Sequence, residues 1–464
     1  MRFFPFKKNL NAFVNDTRGS MLMTVLVFGS VALLIITGIS SYGLSEHRAS
    51  NYRHNNEAAL HMAEAGIGYY RWHLAHDADD FWDGNTSSTP GPYIHDVTDK
   101  DGNIIGHYAL TIIPPDPGSS IVIIQSTGWS TQQEQSQRTI QVRMGKPALS
   151  DYTFLQHANM RFSPTTFVSG KIHSNGGVEF NGTTDSYVQS ARETYDTGTS
   201  GVQNGVWGTG GPQGFWEFPV PPIDFNSVSA DVSLLQELSQ EPEGFYRPAS
   251  GVQGWRVEFL ANGTFNLYRV TSRVPYCQWS GACVQQWYDL GGTVLEGNYP
   301  IPENGAMFFE DDVWVNGVVN GRVTVVAARF PENPANYRDI YISGNITYAT
   351  LGGDDVLGLI AQSDIIVPLQ VPEHMTIHAA ALAQYGQIYR PLYRSNYQNS
   401  LQESLTFFGS QISFSGGGWK WGTPPVSGFI TTNHIYDGNL LYYVPPGFPT
   451  KETYELISWE EIEI

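Results

Sequence analysis

The most constraining feature of this sequence is a stretch near its N-terminus that is long, apolar and free of charge. Residues 19–45 contain no Asp, Glu, Lys or Arg, and their core, SMLMTVLVFGSVALLIITGIS, is almost entirely apolar. About 20 such residues in a helix span the hydrocarbon core of a bilayer. The preceding leader carries four basic residues and one acidic residue. Because basic flanks stay cytoplasmic, the sequence predicts one membrane pass with the N-terminus inside and the remainder outside.

The segment that follows separates this anchor from a cleaved secretory signal peptide. Residues 46–74 lack proline and carry apolar side chains at helical spacing, so one helix is predicted over about 20–76. A signal peptide has no reason to continue in this way. A plain signal anchor stays open as an alternative.

The arrangement of these features resembles the N-terminus of a type IV prepilin. A basic leader ends at Arg18-Gly19, the apolar run begins directly after it, and the helix continues to Ala63-Glu64-Ala65-Gly66. More narrowly, it is similar to the PilX-type minor pilins, whose N-terminal region typically ends in an AEAG-like stretch. The resemblance implies that a prepilin peptidase cleaves between Gly19 and Ser20. Ser20 would then be the first mature residue and open to N-methylation.

One departure from the major pilins concerns the fifth mature position, which is Thr24 rather than glutamate. An unpaired carboxylate in lipid is costly. A subunit with no partner above it is therefore more stable in the membrane without a glutamate at this position. Many PilX-type proteins and the tip pseudopilin of type II secretion share this absence. It favours a position at the filament tip over that of a bulk subunit.

The resemblance implies a minor pilin or pseudopilin of a type IV pilus-like system, which primes or caps the filament and presents an adhesive head. The implied partners are other pilins through the N-terminal helix, the prepilin peptidase and the inner-membrane assembly platform. The implied location is a single-pass membrane protein whose extracytoplasmic head reaches the cell surface after assembly. A tip pseudopilin of type II secretion is the alternative with the same anatomy.

Beyond the helix the sequence is mainly β in character. Period-two segments between Tyr93 and Met144 predict a small antiparallel sheet packed on the second half of the helix. After Pro147, short β-branched segments punctuated by Gly, Asn and Ser recur along the chain, which favours a parallel β-helix over a β-sandwich. The predicted fold class is therefore α+β and mainly β, with a long pilin helix, a small antiparallel sheet and a parallel β-helix.

The order of the later segments is also similar to the region often fused to PilX-type N-termini. The poorly matched part, 185–298, is expected to be an insertion. The predicted domains are a leader (1–19), the transmembrane pilin helix (20–76), a small sheet (77–147) and a β-solenoid head (148–464) with the insertion (185–298).

The two cysteines, Cys277 and Cys283, lie six residues apart. Outside the cytoplasmic membrane a local disulfide is the expected state, and it would contribute roughly 2 kcal/mol. Redox catalysis would favour the spacing C-x-x-C, and a zinc site would need further ligands. The sequence predicts no metal and no cofactor.

No motif in the sequence predicts catalysis. Parallel β-helices host glycan-cleaving enzymes, so a membrane-tethered glycan-active enzyme is the alternative from another class, and it would need clustered carboxylates. The candidates are Asp311-Asp312 and Asp354-Asp355, for which surface turns are the preferred interpretation because adjacent strand residues point to opposite faces. His173 is expected at a corner of the β-helix, and His374 and His378 lack the helix that would bring them to one metal.

Binding is favoured over catalysis for the head. Tyrosines interleaved with arginines cluster in 385–398, and Trp419-Lys420-Trp421 follows a glycine run. Such rings suit a surface glycan or a protein ligand, or they staple a loop over the β-helix. The net charge of −19 argues against nucleic acid. The predicted ligand surface comprises Tyr385, Tyr389, Arg390, Tyr393, Arg394, Tyr397, Trp419 and Trp421.

Overall fold

The computed structural model describes residues 17–462, apart from 87–88, 90, 116–118, 147, 226–227, 281, 423, 442 and 451–452. It shows a long N-terminal helix followed by a chain that is mainly strands, which confirms the coarser part of the predicted fold class. Residues 1–16 of the predicted leader lie outside the described residues. The predicted cleavage point between Gly19 and Ser20 falls in the first helical turn, where only the backbone is described.

Helix α1 (Thr17–His76) runs without interruption over 60 residues. Gly29, Gly38 and Gly43 lie in its first half and each lowers helix propensity by about 1 kcal/mol relative to alanine. They do not break the helix, because no proline removes a backbone hydrogen bond within it. The helix ends at His76.

An antiparallel sheet packs against the second half of α1. Its first four strands are β1 (Tyr93–Thr98), β2 (Ile104–Ile113), β3 (Ile121–Ser130) and β4 (Gln133–Gly145). Its fifth strand, β33 (Glu455–Ile462), comes from the far end of the sequence and pairs antiparallel with β4. Arg138 of β4 forms an ion pair with Glu461 of β33 across this edge. The return of β33 to the first sheet was not anticipated from the sequence.

The described strands between these are numbered in chain order. The first group is β5 (Phe154–Gln156), β6 (Met160–Phe162), β7 (Thr166–Ser169), β8 (Ile172–Ser174), β9 (Val178–Phe180), β10 (Thr183–Thr184), β11 (Val188–Ser190), β12 (Thr194–Asp196), β13 (Val202–Asn204), β14 (Val206–Trp207) and β15 (Trp216–Glu217). Helix α2 (Val228–Gln240) follows. Short 3-10 helices are Leu149–Asp151, Gln213–Phe215, Pro334–Asn336 and Gly438–Leu441.

After α2 the chain is again mainly strands. They are β16 (Phe245–Arg247), β17 (Trp255–Leu260), β18 (Thr264–Val270), β19 (Arg273–Ser280), β20 (Ala282–Leu290), β21 (Thr293–Pro300), β22 (Ala306–Phe309), β23 (Val313–Val319), β24 (Arg322–Ala327), β25 (Ile340–Tyr348), β26 (Val356–Ala361), β27 (Ile365–Ile366), β28 (His374–Ala383), β29 (Ile388–Tyr389), β30 (Leu401–Ser413), β31 (Lys420–Trp421) and β32 (Ser427–Ile435).

Ten of these strands form one parallel ladder, called the long ladder here. From one end to the other its order is β16, β22, β24, β26, β28, β30, β5, β8, β11 and β15. A second parallel ladder contains β17, β23, β25, β27 and β29. A third contains β25, β28, β30, β32, β7 and β10. These pairings are compatible with the predicted parallel β-helix, which stays a prediction.

The order of strands in the long ladder does not follow the order of the chain. The chain enters in the middle at β5, runs to one end at β15 and continues through α2 to β16 at the opposite end. It then returns to the middle, where residues 411–413 of β30 pair with residues 154–156 of β5. Both edges of β5 are therefore paired, and the junction leaves no open edge that could recruit another strand.

The stretch 185–298, which the sequence predicts to be an insertion, contributes strands to both ends of the long ladder. Strands β11 and β15 close one end and β16 closes the other. Each of these strands is two or three residues long, which is too short for a recognisable alternation of apolar side chains. These strands of the stretch therefore pair with the long ladder at its two ends, and the insertion stays a prediction.

The head has apolar cores inside the ladders and beneath α2. The larger core includes Val315, Ile342 and Leu359, each without solvent exposure. Helix α2 packs Val232 and Leu235 onto the outer face of the long ladder. This position explains the apolar stripe of α2, because the helix covers side chains that point away from the inner core.

Candidate functional site

The first half of α1 is apolar and uncovered. Every large apolar side chain from Met21 to Leu44 is at least 46% exposed, and Leu34 is 74% exposed. The most apolar 18-residue window has a mean hydropathy of 2.5, and none of it is buried. Within the described part of the chain this helix is long and apolar enough to cross a membrane. Such a surface needs a lipid or protein environment.

Two hydroxyl groups in this segment bond to the helix itself. Ser30 Oγ donates to Val27 O at 2.8 Å, and Thr37 Oγ1 donates to Leu33 O at 2.7 Å. These bonds satisfy the hydroxyl donors without water. Ser30 and Thr37 are thus compatible with a hydrocarbon environment, in which an unsatisfied polar group costs several kcal/mol.

The second half of α1 is buried against the antiparallel sheet. Ala59, Ala63 and Tyr70 are fully buried. The approach is close because Gly128 of β3 lies under the helix, where an added Cβ would overlap Ala63 N and Ala59 O. Gly66 is similarly constrained by the sheet. Ala63 and Gly66 of the AEAG stretch thus allow the helix and sheet to approach, while Glu64 and Ala65 face solvent.

The structure corrects the predicted exposed ligand surface in part. Arg390 and Tyr393 have no solvent exposure, and Trp419 is 7% exposed. The Arg390 guanidinium donates to three backbone carbonyls, including Pro368 O at 2.8 Å. Arg390 and Tyr393 cannot present themselves to a ligand from outside, and for these two the prediction is wrong, because a Tyr/Arg pattern does not reveal which side chains turn inward. Trp419 also turns inward, where it lines a cavity.

The other predicted tyrosines are half-buried and contact neighbouring segments, whereas Trp421 is 36% exposed. Tyr397 Oη accepts a hydrogen bond from Cys277 N at 3.0 Å. Tyr385 stacks on Tyr337 with ring centroids 4.9 Å apart. Tyr389 and Arg394 are also half-buried. These contacts favour the alternative in which the rings hold a loop against the head.

The hairpin β19–β20 is the segment that Tyr397 contacts. The structure joins Cys277 and Cys283 across it in a disulfide, with Cα atoms 5.0 Å apart. Its Tyr288 covers the stacked rings of Trp314 and Tyr341, whose centroids are 4.5 Å apart. The hairpin therefore closes over aromatic side chains on the outer face of the second ladder.

Three aspartates form a column beside this hairpin, and two of them, Asp339 and Asp364, were not singled out in the sequence. Asp312, Asp339 and Asp364 each precede a strand of the second ladder, and these strands pair in parallel. Asp339 N donates to Asp312 Oδ1 at 3.1 Å, and Asp364 N donates to Asp339 Oδ1 at 3.0 Å. The recurring pair Asp-Val or Asp-Ile at the start of these strands is the signal that could have revealed the column.

The environment of this column favours protonation of its central member. Burial and the neighbouring Asp312 carboxylate raise the pKa of Asp339 to about 6. Arg273 of the hairpin partly offsets the charge, because its Nη2 lies 2.7 Å from Asp312 Oδ2. Tyr341 Oη donates to Asp339 Oδ2 at 3.1 Å. The geometry assigns these carboxylates to the ordering of backbone and hairpin.

The carboxylate pairs singled out in the sequence are less exposed than predicted. Asp311 and Asp312 are each 8% exposed and Asp355 is 4% exposed, so the interpretation as surface turns is wrong for them. Asp355 accepts hydrogen bonds from Gly321 N and Thr350 N, both at 2.6 Å. Stacking of strands buries these turns, and the carboxylates satisfy the backbone donors that burial removes from water.

The predicted histidines are placed separately. His173 is buried, and its Nε2 lies 3.1 Å from Asn175 Oδ1. Burial lowers the pKa of His173 and favours the neutral ring. His378 accepts from Tyr348 N at 3.1 Å, and His374 is exposed. The described residues contain no group of three or more His, Cys, Asp or Glu that could hold a metal ion.

Comparison with models of protein families and with characterised proteins finds no match. Among solved structures, the chain is similar to the competence-associated pilin ComZ from Thermus thermophilus, with 15% sequence identity and a TM-score of 0.29. The match covers 88% of this chain and 97% of that chain. A likeness at this TM-score carries no argument, so the function has to be argued from the residues of this chain.

Proposed function

We propose that this chain is a membrane-inserted minor pilin or pseudopilin of a type IV pilus-like system. The observation that carries the proposal is the division of α1 into two halves. The first half, from Met21 to Leu44, is apolar and uncovered, and the second half is buried against a sheet. Lipid would cover the first half before assembly, and the apolar helices of other pilins would cover it afterwards.

The leader supports insertion and processing of the prepilin type. Its basic residues favour a cytoplasmic N-terminus, which sends the sheet and the head out of the cytoplasm. A prepilin peptidase would cleave between Gly19 and Ser20, and the inner-membrane assembly platform would then extract the subunit. ATP would be consumed by cytoplasmic motors rather than by this chain.

The position proposed for the subunit is the filament tip, where it primes or caps assembly. Thr24 supports this position, because a subunit with no partner above it would otherwise leave a carboxylate unpaired in an apolar environment. The same residue is compatible with the tip pseudopilin of a type II secretion system, which is the second candidate.

For the head we propose a parallel β-helix that presents an adhesive surface without catalysing a reaction. The parallel ladders support the architecture. The carboxylates of Asp312, Asp339 and Asp355 accept hydrogen bonds from backbone N–H groups, which supports a structural role for them. A glycan-cleaving enzyme would need two carboxylates directed at one glycosidic bond.

Photo-crosslinking in the native host tests the assembly part of the proposal. A photoreactive residue at Leu34, which is 74% exposed in α1, should crosslink to the apolar helix of another pilin. The matched control carries the same residue at Val202, which is 68% exposed in the head. It should not give that crosslink. Crosslinks from Leu34 to lipid alone, under conditions in which the filament assembles, would contradict the proposal and leave a simple anchor.

A further inference from the structure

The head contains a cavity of about 530 Å³ that belongs neither to α1 nor to the hairpin β19–β20. Strands β5, β6, β30, β31 and β32 contribute to its wall near the junction of the long ladder. Its size lies in the range of about 300–1,000 Å³ that is usual for small-molecule sites. Trp419 and Trp421 of the predicted ligand surface line it.

One part of the wall is aromatic and fixed in position. Trp421 is 36% exposed, and its Nε1 donates to Arg390 O at 2.9 Å. Trp419 Nε1 donates to Gln411 Oε1 at 3.0 Å. Phe162 also lines the cavity. Because the indole donors are engaged within the protein, the rings offer apolar surface to an occupant.

Another part of the wall is polar and retains hydrogen-bonding capacity. The amide nitrogen of Gln156 donates to Asn159 O at 3.0 Å, while its carbonyl oxygen has no partner within the described part of the chain. The hydroxyl of Ser413 likewise has no partner there. Gln156 and Ser413 are 7% and 6% exposed, so both groups are fixed in place by their surroundings.

The charges around the cavity favour binding over cleavage. None of the described lining residues is Asp or Glu, and the lining includes two cations, Arg161 and Lys420. Arg161 forms an ion pair with Glu179, with Nε 3.1 Å from Oε2. Lys420 is held within the wall. Its Nζ donates to Thr165 Oγ1 at 2.8 Å and to Thr165 O at 3.0 Å. Hydrolysis of a glycosidic bond uses a pair of carboxylates, which this lining lacks.

From this wall we infer that the cavity binds a pyranose unit of a glycan. A pyranose ring has C–H faces with partial positive charge, which stack on the negative face of an indole. Its hydroxyl groups both donate and accept hydrogen bonds, which matches the free groups of Gln156 and Ser413. Binding of a pyranose is argued from the cavity alone. Only its role in adhesion rests on the proposed function, in which the head is adhesive.

Binding is tested with the full chain purified in detergent, on an array of oligosaccharides that end in glucose, galactose, mannose, N-acetylglucosamine or a uronic acid. The Kd for each glycan that binds is then measured by calorimetry. At least one glycan of this panel is expected to bind with saturation. Absence of binding to every glycan would overturn the inference, and it would leave the membrane and filament proposal untouched, because that proposal is tested through α1.

Two substitutions place the binding in this cavity. Trp421→Ala removes the exposed ring and should raise the Kd at least tenfold. Gly418→Leu should abolish binding, because a Cβ there fits 3.9 Å from Trp421 Cζ2 and the rest of the side chain would occupy the cavity. The control is Trp287→Ala, an exposed tryptophan outside the lining, which should leave the Kd unchanged.

Circular dichroism and the melting temperature identify any variant that fails to fold, and the conclusion is then drawn from the other substitution. A folded Trp421→Ala or Gly418→Leu protein with the wild-type Kd would overturn the inference. A Kd that rises as much in Trp287→Ala as in Trp421→Ala would also overturn it, because the glycan would then bind outside the cavity.

Discussion

The column of Asp312, Asp339 and Asp364 brings like charges together in a partly buried place. Each carboxylate satisfies the backbone N–H of the neighbouring strand, which is the gain that offsets the repulsion. The pKa of Asp339 is raised because burial and the charge of Asp312 outweigh the backbone hydrogen bond that lowers it. The column should therefore make the head sensitive to pH.

We expect Asp339→Asn to remove much of this pH dependence. Because the folded-state pKa of Asp339 is raised to about 6, the folded chain binds this proton more tightly than the unfolded chain. The contribution to stability is complete below about pH 4 and is lost as the pH rises through about 6. The loss should amount to about 1–2 kcal/mol. Thermal unfolding of the full chain in detergent at pH 4.5 and pH 7.5 measures it.

Titrating groups away from the column cancel in the difference between the wild type and the variant, so the difference reports on Asp339 together with the carboxylates coupled to it. The wild type should lose more stability than Asp339→Asn between the two pH values. An equal loss in both proteins would show that Asp339 ionises in the folded state as readily as in the unfolded one.

Gly128 carries the close contact between α1 and the antiparallel sheet. Gly128→Ala should lower the free energy of unfolding of this unit by about 1–3 kcal/mol, because the new Cβ meets rigid helix backbone rather than a movable side chain. Hydrogen exchange of residues 93–145 measures the effect. Gly68→Ala is the control, since nothing lies within 4 Å of a Cβ there. A loss no larger in Gly128→Ala than in this control would contradict the close contact.

Which side chains of the head face inward could be predicted only in part. The pattern of 385–398 correctly selects residues that contact aromatic neighbours, but it does not distinguish the buried Arg390 from the half-buried Tyr397. Tyr397 contacts Cys277 of the hairpin β19–β20, which lies 120 residues earlier in the chain, and Arg390 is held by carbonyls that include Pro368 O. A local pattern contains no information about such a partner.

The hairpin β19–β20 is an element held by a few long-range contacts. Tyr276 and Tyr397 meet with ring centroids 5.1 Å apart, and Asp289 accepts from Gln370 N at 2.7 Å. The disulfide between Cys277 and Cys283 limits the freedom of its tip. It should therefore unfold locally before the ladders do, since it has fewer buried apolar contacts.

Replacing both cysteines by serine should destabilise this hairpin by about 2 kcal/mol, which is the effect of opening a short loop. Hydrogen exchange should become faster in residues 273–290 and stay unchanged in β24 and β26. Reduction of the wild type should reproduce the change, and the serine variant should not respond to reductant. Unchanged exchange in the hairpin of the variant would contradict a stabilising role.

Element length explains which strands were predictable. Strands β2 to β4 are at least 10 residues long and alternate between buried and exposed positions, so the period-two pattern predicts them. Strands β5 to β15 are two to four residues long, and their stability comes from stacking on neighbours. The stretch 185–298 was expected to be an insertion because it is poorly matched in the resemblance, and three of its short strands, β11, β15 and β16, lie at the two ends of the long ladder.

The path of the whole chain could not be read from the sequence. The long ladder is joined in its middle by β30 and β5, whose paired residues are more than 250 positions apart. The last strand, β33, then returns to the sheet under α1. Both pairings depend on edges that become available only when distant segments have folded. The division of α1, in contrast, follows directly from local composition, because apolar and amphipathic halves have different periodicity.

The most direct test of the account is the mass of the N-terminus of the chain extracted from the membranes of its own host. The account predicts a membrane-bound chain that begins at Ser20, with or without an added methyl group. A membrane-bound chain that retains Met1 would contradict prepilin processing and indicate a simple signal anchor. In that case α1 would hold the head at the membrane without assembling into a filament.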